Sequence, residues 1–165
     1  MNCERIEETV RLWQAEPDKA KGKPAVKARA EGSQAAMEHG SFSWRADLPA
    51  PLGGANEAPS PTARLLSALA GCAVVFIRDT LAPQLGVRVD AIEATAQCDT
   101  DARGLLGMGG VAPDLGNIAL SIVVQSSETE DAIRKVYEVW QERCPVYLAL
   151  TKALPVASSL EIRRA

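Results

Sequence analysis

The sequence predicts an α+β domain in which long helices pack against antiparallel sheet. Two observations support this fold class. Short segments of alternating apolar and polar residues are separated by glycines, as in a strand meander with one solvent-exposed face. Two longer segments, around Leu69 and around Val136, carry apolar residues at helical spacing. The predicted order is two or three strands, a helix, two strands, two helices and a last strand.

Composition limits the size and class of the protein. The chain has 165 residues, of which 47% are apolar and 24% charged, as expected for one globular domain with a sizeable core. Its formal net charge is −3, and no basic stripe is available to neutralise nucleic-acid phosphates. The N-terminus has no apolar region typical of a secretion signal, and no stretch approaches the roughly 18 apolar residues of a membrane helix. We therefore expect a cytoplasmic protein that binds neither nucleic acid nor membrane.

The first 23 residues are predicted to form a helix and a linker, followed by the main domain over residues 24–165. Ile6, Val10 and Trp13 recur at helical spacing within residues 4–14. The next segment is polar and rich in turn-forming residues, which is typical of a linker.

Strands are predicted at the start of the main domain. Val26, Ala28 and Ala30 alternate with basic residues, and Phe42 and Trp44 alternate with Ser and Arg. Glycines mark the turns: Gly32, Gly40, Gly53 and Gly54.

The central helix is predicted to begin just after Ser60, a favourable N-cap, with Pro61 at its first position. Pro83 and Gly86 are expected to end it. Its core-facing stripe consists of residues three or four positions apart, namely Leu65, Leu69, Cys72 and Phe76.

The second half of the chain is predicted to contain two strands and a glycine-rich loop. Alternation predicts a strand over residues 87–98, with a bulge near residues 91–92, and another over residues 118–124. The segment 104–116 between them is interpreted as a loop. It lacks the Lys-Ser or Lys-Thr that a phosphate-binding loop requires.

Two further helices and a last strand complete the prediction. Ser127 and Glu130 have the spacing of a capping box, which predicts the start of the first helix. Pro145 suits the first position of a short helix that runs through Leu150. A strand is predicted over residues 156–162.

The cysteines and the single histidine do not form a metal-binding pattern. Cys3, Cys72, Cys98 and Cys144 are too far apart for zinc-ligand spacing, and His39 is alone in a predicted turn. We therefore expect no metal and no other cofactor. A structural disulfide framework is not expected in a reducing cytoplasm. Cys98 is predicted to be a core residue of its strand, and Cys3 to lie in a frayed terminus.

The residues alone leave two interpretations of the remaining thiols. Cys72 lies about three turns into its helix, where the helix dipole does not reach it and where burial raises the pKa of a thiol. It is either an inert packing residue or a thiol activated by an arginine from elsewhere. Cys144 is the predicted N-cap before Pro145, where backbone N–H groups stabilise a thiolate, although it is equally compatible with a simple helix start.

Taken in order along the chain, several motifs resemble those of the OsmC/Ohr superfamily, in its broad OsmC-like branch. The resemblance extends from residue 25 to residue 162. An Ala-Gly-Cys helix and a Cys-Pro-Val helix start are specific when they occur together. The motifs occupy residues 53–54, 59–61, 65–72, 103–107 and 144–146.

The resemblance implies an intertwined homodimer, in which antiparallel sheets from both subunits wrap around two long central helices. It also implies a thiol-dependent peroxidase that reduces small organic hydroperoxides. Cys72 would be the peroxidatic thiolate and would become a sulfenic acid, and Cys144 would resolve it as a disulfide. An external dithiol would then reduce the disulfide. An apolar pocket around Cys72 would suit organic hydroperoxides.

The chain departs from the family pattern at one point. The family's peroxidases place a Glu just inside the cysteine helix, where it pairs with an Arg near the thiolate, whereas the matching positions here are Thr62 and Ala63. Arg45 is the candidate for the Arg, and Glu57 for the missing carboxylate. The absent Glu motivates an alternative hypothesis, a non-enzymatic dimer that binds a small apolar ligand or senses oxidation.

Overall fold

Helices and two antiparallel sheets form the α+β architecture that the sequence predicts. The computed structural model describes residues 2–152 and 154–164, without the side chains of residues 2 and 3, so the expectation for Cys3 lies outside the described residues. The helices are α1 (Asn2–Ala15), α2 (Pro61–Gln84), α3 (Ala102–Leu105), α4 (Glu130–Arg143) and α5 (Pro145–Thr151). The strands are β1 (Lys27–Glu31), β2 (Gln34–His39), β3 (Phe42–Ala46), β4 (Ala91–Asp99) and β5 (Gly116–Gln125).

Strands β1, β2 and β3 form a three-stranded meander joined by two-residue turns. Gly32 and Gly40 occupy the first turn positions with φ of +62° and +58°, a conformation that glycine adopts without steric cost. His39 ends β2 instead of lying in the turn, and its Nδ1 is 2.8 Å from the carbonyl oxygen of Ala25. All residues of β1 are exposed, so this edge strand is uncovered in the single chain.

Helix α2 begins as predicted and continues to Gln84 through a wider π-helical turn. Ser60 caps it, since its hydroxyl accepts the backbone N–H of Ala63 at 3.2 Å. Pro83 lacks an N–H and its ring would crowd the carbonyl four residues earlier, which a wider turn relieves. The π turn, Ile77–Leu81, ends two positions before this proline.

The length and apolar composition of α2 would allow it to cross a membrane, with a mean hydropathy of 1.7 over its most apolar window. The expectation that no stretch approaches this length is therefore wrong. Ala73, Ile77 and Leu81 are instead buried in the hydrophobic core, as in the central helix of a soluble protein. Only 28% of the apolar window is buried within the subunit, so much of the helix surface is left uncovered.

The core lies between α2, α4 and the two-stranded sheet. Trp140 of α4 is fully buried at its centre. Its ring stacks on Tyr137 at a centroid distance of 5.8 Å and packs on Tyr147 at 4.9 Å. The other buried members are Ala73, Ile77, Leu81, Ala82, Val136, Val139 and Cys144.

Strand β4 is shorter than predicted, and its register shift is not at the predicted position. It begins at Ala91 because the backbone N–H of Val87 donates to the carbonyl of Ala82 and closes the end of α2. From there to residue 99 exposed and half-buried residues alternate without a break. The register shifts between Gln97 and Asp99, so the bulge predicted near residues 91–92 is wrong.

Two local predictions in the second half are corrected. The N-cap of α4 is Thr129, whose extended backbone lets its hydroxyl accept the N–H of Ala132 at 3.3 Å, and not Ser127. Glu130 forms an ion pair with Arg134 instead of a capping box. Within the predicted loop 104–116, the first two residues belong to the short helix α3.

The predicted last strand is wrong for the single subunit. Residues 154–164 pair with no strand among the described residues. A strand needs a partner for its backbone groups, and the described part of the chain offers none here. The apolar side chains of the segment are consequently in solvent, with Val156, Leu160 and Ile162 exposed to 90%, 85% and 80%.

Candidate active site

Cys72 and Cys144 meet in the core although 72 residues separate them in sequence. Their sulfur atoms are 3.2 Å apart, within hydrogen-bond distance for thiols. Neither is oxidised, Cys144 is fully buried and Cys72 is half-buried. A disulfide bond is about 2.05 Å long, so the sulfur atoms need to approach by only about 1 Å.

The junction between α4 and α5 holds Cys144 in place. Its backbone N–H donates to the carbonyl of Trp140 at 2.8 Å and ends α4. The same residue is the N-cap of α5, where Pro145 takes the first position and the sulfur accepts the backbone N–H of Tyr147 at 3.5 Å. The predicted cap is confirmed. The backbone N–H and the side-chain sulfur of Cys144 are both hydrogen-bonded, and this fixes the sulfur against α2.

The electrostatics of Cys72 within one subunit favour the protonated thiol. Burial, and after it the neighbouring Cys144 sulfur, raises the pKa of Cys72 to about 11. The backbone N–H of Val146 opposes this rise. No cation among the described residues lowers the Cys72 pKa, so the single chain provides no activation of this thiol.

Arg45 lies on β3 and its guanidinium is held by two side chains of its own sheet. Nη2 donates to Glu31 Oε1 at 2.5 Å, and Nη1 donates to Gln34 Oε1 at 3.0 Å. Gln34 in turn donates to Glu57 Oε2 at 3.1 Å. The predicted partner Glu57 is therefore connected to Arg45 through Gln34, and neither touches Cys72 within the subunit.

The residues after β3 form a loop around the buried carboxylate of Asp47. This carboxylate accepts backbone N–H groups from Leu48 at 2.7 Å, from Glu57 at 3.0 Å and from Ala55 at 3.3 Å. These bonds, above all the one from Glu57, hold the pKa of Asp47 below its usual range. A Cβ on Gly54 would lie 1.9 Å from the Leu48 carbonyl oxygen, so only glycine fits. The loop leads directly to the start of α2.

Sequence reasoning missed Asp47, Glu31 and Gln34. Asp47 has no local sequence signal, because two of its backbone partners, Ala55 and Glu57, lie eight and ten positions later in the chain. Glu31 and Gln34 have none, because hairpin register decides which polar side chains reach Arg45.

An apolar groove of about 340 Å³ lies near the site, but neither cysteine lines it. Its lining comes mainly from the two-stranded sheet and α4, and Ile77 of α2 also lines it. The pocket expected around Cys72 is therefore not this groove. Its other apolar lining residues are Val89, Leu120, Ile122, Val124, Ile133, Val136 and Tyr137.

Comparison with known proteins gives one family and several similar structures. Residues 54–159, more than half of the chain, match the family model described as OsmC-like protein. An OsmC-like protein from Mycoplasma pneumoniae is 21% identical, with a TM-score of 0.66 over 79% of this chain and 89% of that chain. An organic hydroperoxide resistance protein OsmC from Legionella pneumophila is 21% identical, with a TM-score of 0.58 over 78% of this chain and 89% of that chain. An organic hydroperoxide resistance protein from Elizabethkingia anophelis is 16% identical, with a TM-score of 0.55 over 78% of this chain and 88% of that chain. These identities show the fold alone, and no curated protein sequence matches the chain.

Proposed function

Because the chain belongs to the OsmC-like protein family, we propose that it is a thiol-dependent peroxidase that reduces organic hydroperoxides through Cys72 and Cys144. The observation that carries the proposal is the 3.2 Å separation of the two sulfur atoms. Two thiols at that distance form a disulfide with little backbone movement. Similar folds in proteins called organic hydroperoxide resistance proteins support the substrate class.

The proposed cycle has three steps. The Cys72 thiolate attacks the terminal oxygen of the hydroperoxide, an S–O bond forms, the O–O bond breaks, and the alkoxide leaves and takes up a proton to become the alcohol. The Cys144 thiol then attacks the Cys72 sulfenic acid, which forms the disulfide and releases water. An external dithiol reduces this disulfide by thiol–disulfide exchange and becomes oxidised itself.

The proposal includes a homodimer, because one subunit leaves Cys72 without a cation. The Arg64 side chain donates to the Arg45 carbonyl at 2.7 Å, so Arg45 lies at the start of α2. Arg64 and Cys72 are eight positions apart, about 12 Å along the helix. If the α2 helices of two copies pack antiparallel and cross near residue 68, midway between Arg64 and Cys72, the start of one helix lies beside Cys72 of the other. Arg45 of the second copy would then reach Cys72 and lower its pKa.

Uncovered apolar surface supports the same homodimer. A large part of α2 is exposed, the edge strand β1 is exposed along its whole length, and residues 154–164 leave apolar side chains in solvent. Monomeric proteins rarely expose surfaces of this kind.

The peroxidase proposal is tested by the variant Cys72→Ser. With cumene hydroperoxide as substrate and dithiothreitol as reductant, we expect wild type to consume peroxide and Cys72→Ser to lose this activity. Cys98→Ser is the matched control, since Cys98 is a half-buried thiol on β4, and it should keep wild-type activity. The proposal fails if wild type is no faster than Cys72→Ser.

The raised pKa of Cys72 favours the second candidate, a non-enzymatic dimer that binds an apolar ligand or senses oxidation. The two candidates differ in the pH dependence of Cys72 alkylation, because only the thiolate reacts. If nothing activates Cys72, its alkylation rate increases with pH until the pH passes the Cys72 pKa of about 11. If Arg45 of a second copy activates it, we expect a midpoint below the ordinary thiol value of about 8.5. Iodoacetamide labelling from pH 5 to 11, read by peptide mass spectrometry, gives the midpoint for this cysteine alone.

The homodimer is tested at Gly71, an exposed residue of α2 where an added Cβ would meet no atom within 4 Å in the single subunit. We expect Gly71→Leu to convert a dimer into a monomer, because a bulky side chain keeps two close-packed helices apart. Glu142→Leu, an equally exposed position on α4, should remain dimeric. Light scattering after size-exclusion chromatography measures the mass. A monomeric wild type, or a Gly71→Leu dimer of unchanged stability, would contradict the proposal.

A further inference from the structure

We infer that Glu31 and Gln34 are positioning residues: together they orient the Arg45 guanidinium toward the Cys72 thiolate of the second copy. The inference rests on the proposed function and deepens it. The role concerned is to hold the arginine in place. Thr62 and Ala63, at the start of the helix, have no carboxylate for this role, and the inference assigns it to the first hairpin.

Strand register brings the three side chains together. Glu31 pairs with Gln34 across the first hairpin, so both point to the same face of the sheet. Arg45 pairs with Ala36, two positions beyond Gln34 on the same strand, and therefore shares that face. Diagonal neighbours at this spacing are within reach of long side chains. Strand register alone therefore brings these three side chains close together, whichever rotamers they adopt.

The contacts use the fork of the guanidinium at two points. One terminal nitrogen donates to the Glu31 carboxylate and the other to the Gln34 amide oxygen, at 2.5 Å and 3.0 Å. Holding both nitrogens fixes the plane of the group as well as its position. An arginine without such partners samples many rotamers and would spend little time at a thiolate.

The network is anchored to the segment that begins α2. The Gln34 amide donates to the Glu57 carboxylate, and the backbone N–H of Glu57 is bound by buried Asp47. Arg64 of α2 holds the carbonyl of Arg45 itself. The guanidinium of Arg45 is therefore tied to the hairpin, and its backbone carbonyl is tied to the helix that carries Cys72.

The same face of the sheet provides a matched control. Arg29 also pairs with Ala36 in register, and its guanidinium forms an ion pair with Glu38. The exposed fractions of the two acidic side chains are nearly equal, 45% for Glu38 and 47% for Glu31. Removing either charge has the same general effect on the sheet, whereas only Glu31 contacts Arg45.

The experiment compares Glu31→Gln, Glu31→Asp and Glu38→Gln with wild type. The first readout is the second-order rate constant for cumene hydroperoxide with dithiothreitol as reductant. The second is the pH midpoint of Cys72 alkylation by iodoacetamide. We expect Glu31→Gln to lower the rate constant about 10-fold and to raise the midpoint by about one pH unit, because a mobile cation stabilises the thiolate less. Glu31→Asp should recover part of both, and Glu38→Gln should stay within about 2-fold of wild type.

Equal behaviour of Glu31→Gln and Glu38→Gln in both readouts overturns the inference. If wild type consumes no hydroperoxide, the proposed function fails. The alkylation midpoint then decides whether Glu31 positions Arg45. A higher midpoint in Glu31→Gln supports the positioning role, and an unchanged midpoint overturns it. If Glu31→Gln does not fold, as judged by circular dichroism, Gln34→Leu removes the other acceptor and is judged by the same two readouts against Glu38→Gln.

Discussion

Cys144→Ser is expected to leave the first oxidation of Cys72 intact and to lower steady-state turnover about 100-fold. Without the second thiol, the Cys72 sulfenic acid has no neighbour at 3.2 Å to displace water and form the disulfide. It persists until an external thiol reaches a half-buried sulfur or further peroxide oxidises it to sulfinic acid. Serine is itself a favourable N-cap, so α5 keeps its start and the loss is chemical.

Two measurements check this result. Reaction with one equivalent of cumene hydroperoxide, followed by dimedone and peptide mass spectrometry, should label Cys72 in Cys144→Ser but hardly in wild type. Steady-state peroxide consumption should fall in Cys144→Ser and not in Cys98→Ser. A Cys144→Ser protein with full turnover and no trapped sulfenic acid would show that Cys144 does not resolve Cys72.

Local chemistry explains which features the sequence could predict. Ser60 before Pro61 and Cys144 before Pro145 are complete helix starts, because the cap and the proline act within a few residues. Periodicity placed Leu69, Cys72 and Phe76 on the side of α2 that packs toward the core, but it missed the buried residues Ala73, Ile77 and Leu81. The meeting of Cys72 and Cys144 was implied only by resemblance, because no local rule relates residues on two different helices.

The features that the sequence did not predict depend on contacts between residues that are far apart in the chain. Ser127 and Thr129 are both good caps, and only the path of the chain into α4 selects Thr129. Residues 156–162 have strand composition, but strand formation requires a partner, and none of the described strands pairs with them. The partners of Arg45 depend on hairpin register, which is set by the two turns together. Each error concerns a choice that nonlocal structure makes.

Trp140→Ala is expected to be the most destabilising single change, with a loss of about 3–5 kcal/mol in the free energy of unfolding. Trp140 is fully buried at the centre of the core and packs on both Tyr137 and Tyr147, so truncation leaves a large cavity. Urea unfolding at one fixed protein concentration measures the loss, since association would otherwise shift the midpoint. Trp13→Ala is the matched control, because that ring is 46% exposed on α1, and it should cost about 1 kcal/mol or less.

The same variant links core packing to the redox pair. The Trp140 carbonyl accepts the Cys144 N–H, and its ring packs on Tyr147, whose N–H binds the Cys144 sulfur. A cavity at Trp140 therefore loosens the junction that holds Cys144, and we expect slower disulfide formation in the fraction that remains folded. Trp140→Phe keeps most of the packing and removes an indole N–H that has no hydrogen-bond partner among the described residues, so it should cost only about 1–2 kcal/mol and keep the disulfide rate. Equal losses in Trp140→Ala and Trp140→Phe, or an unchanged disulfide rate in Trp140→Ala, would contradict this account of the junction.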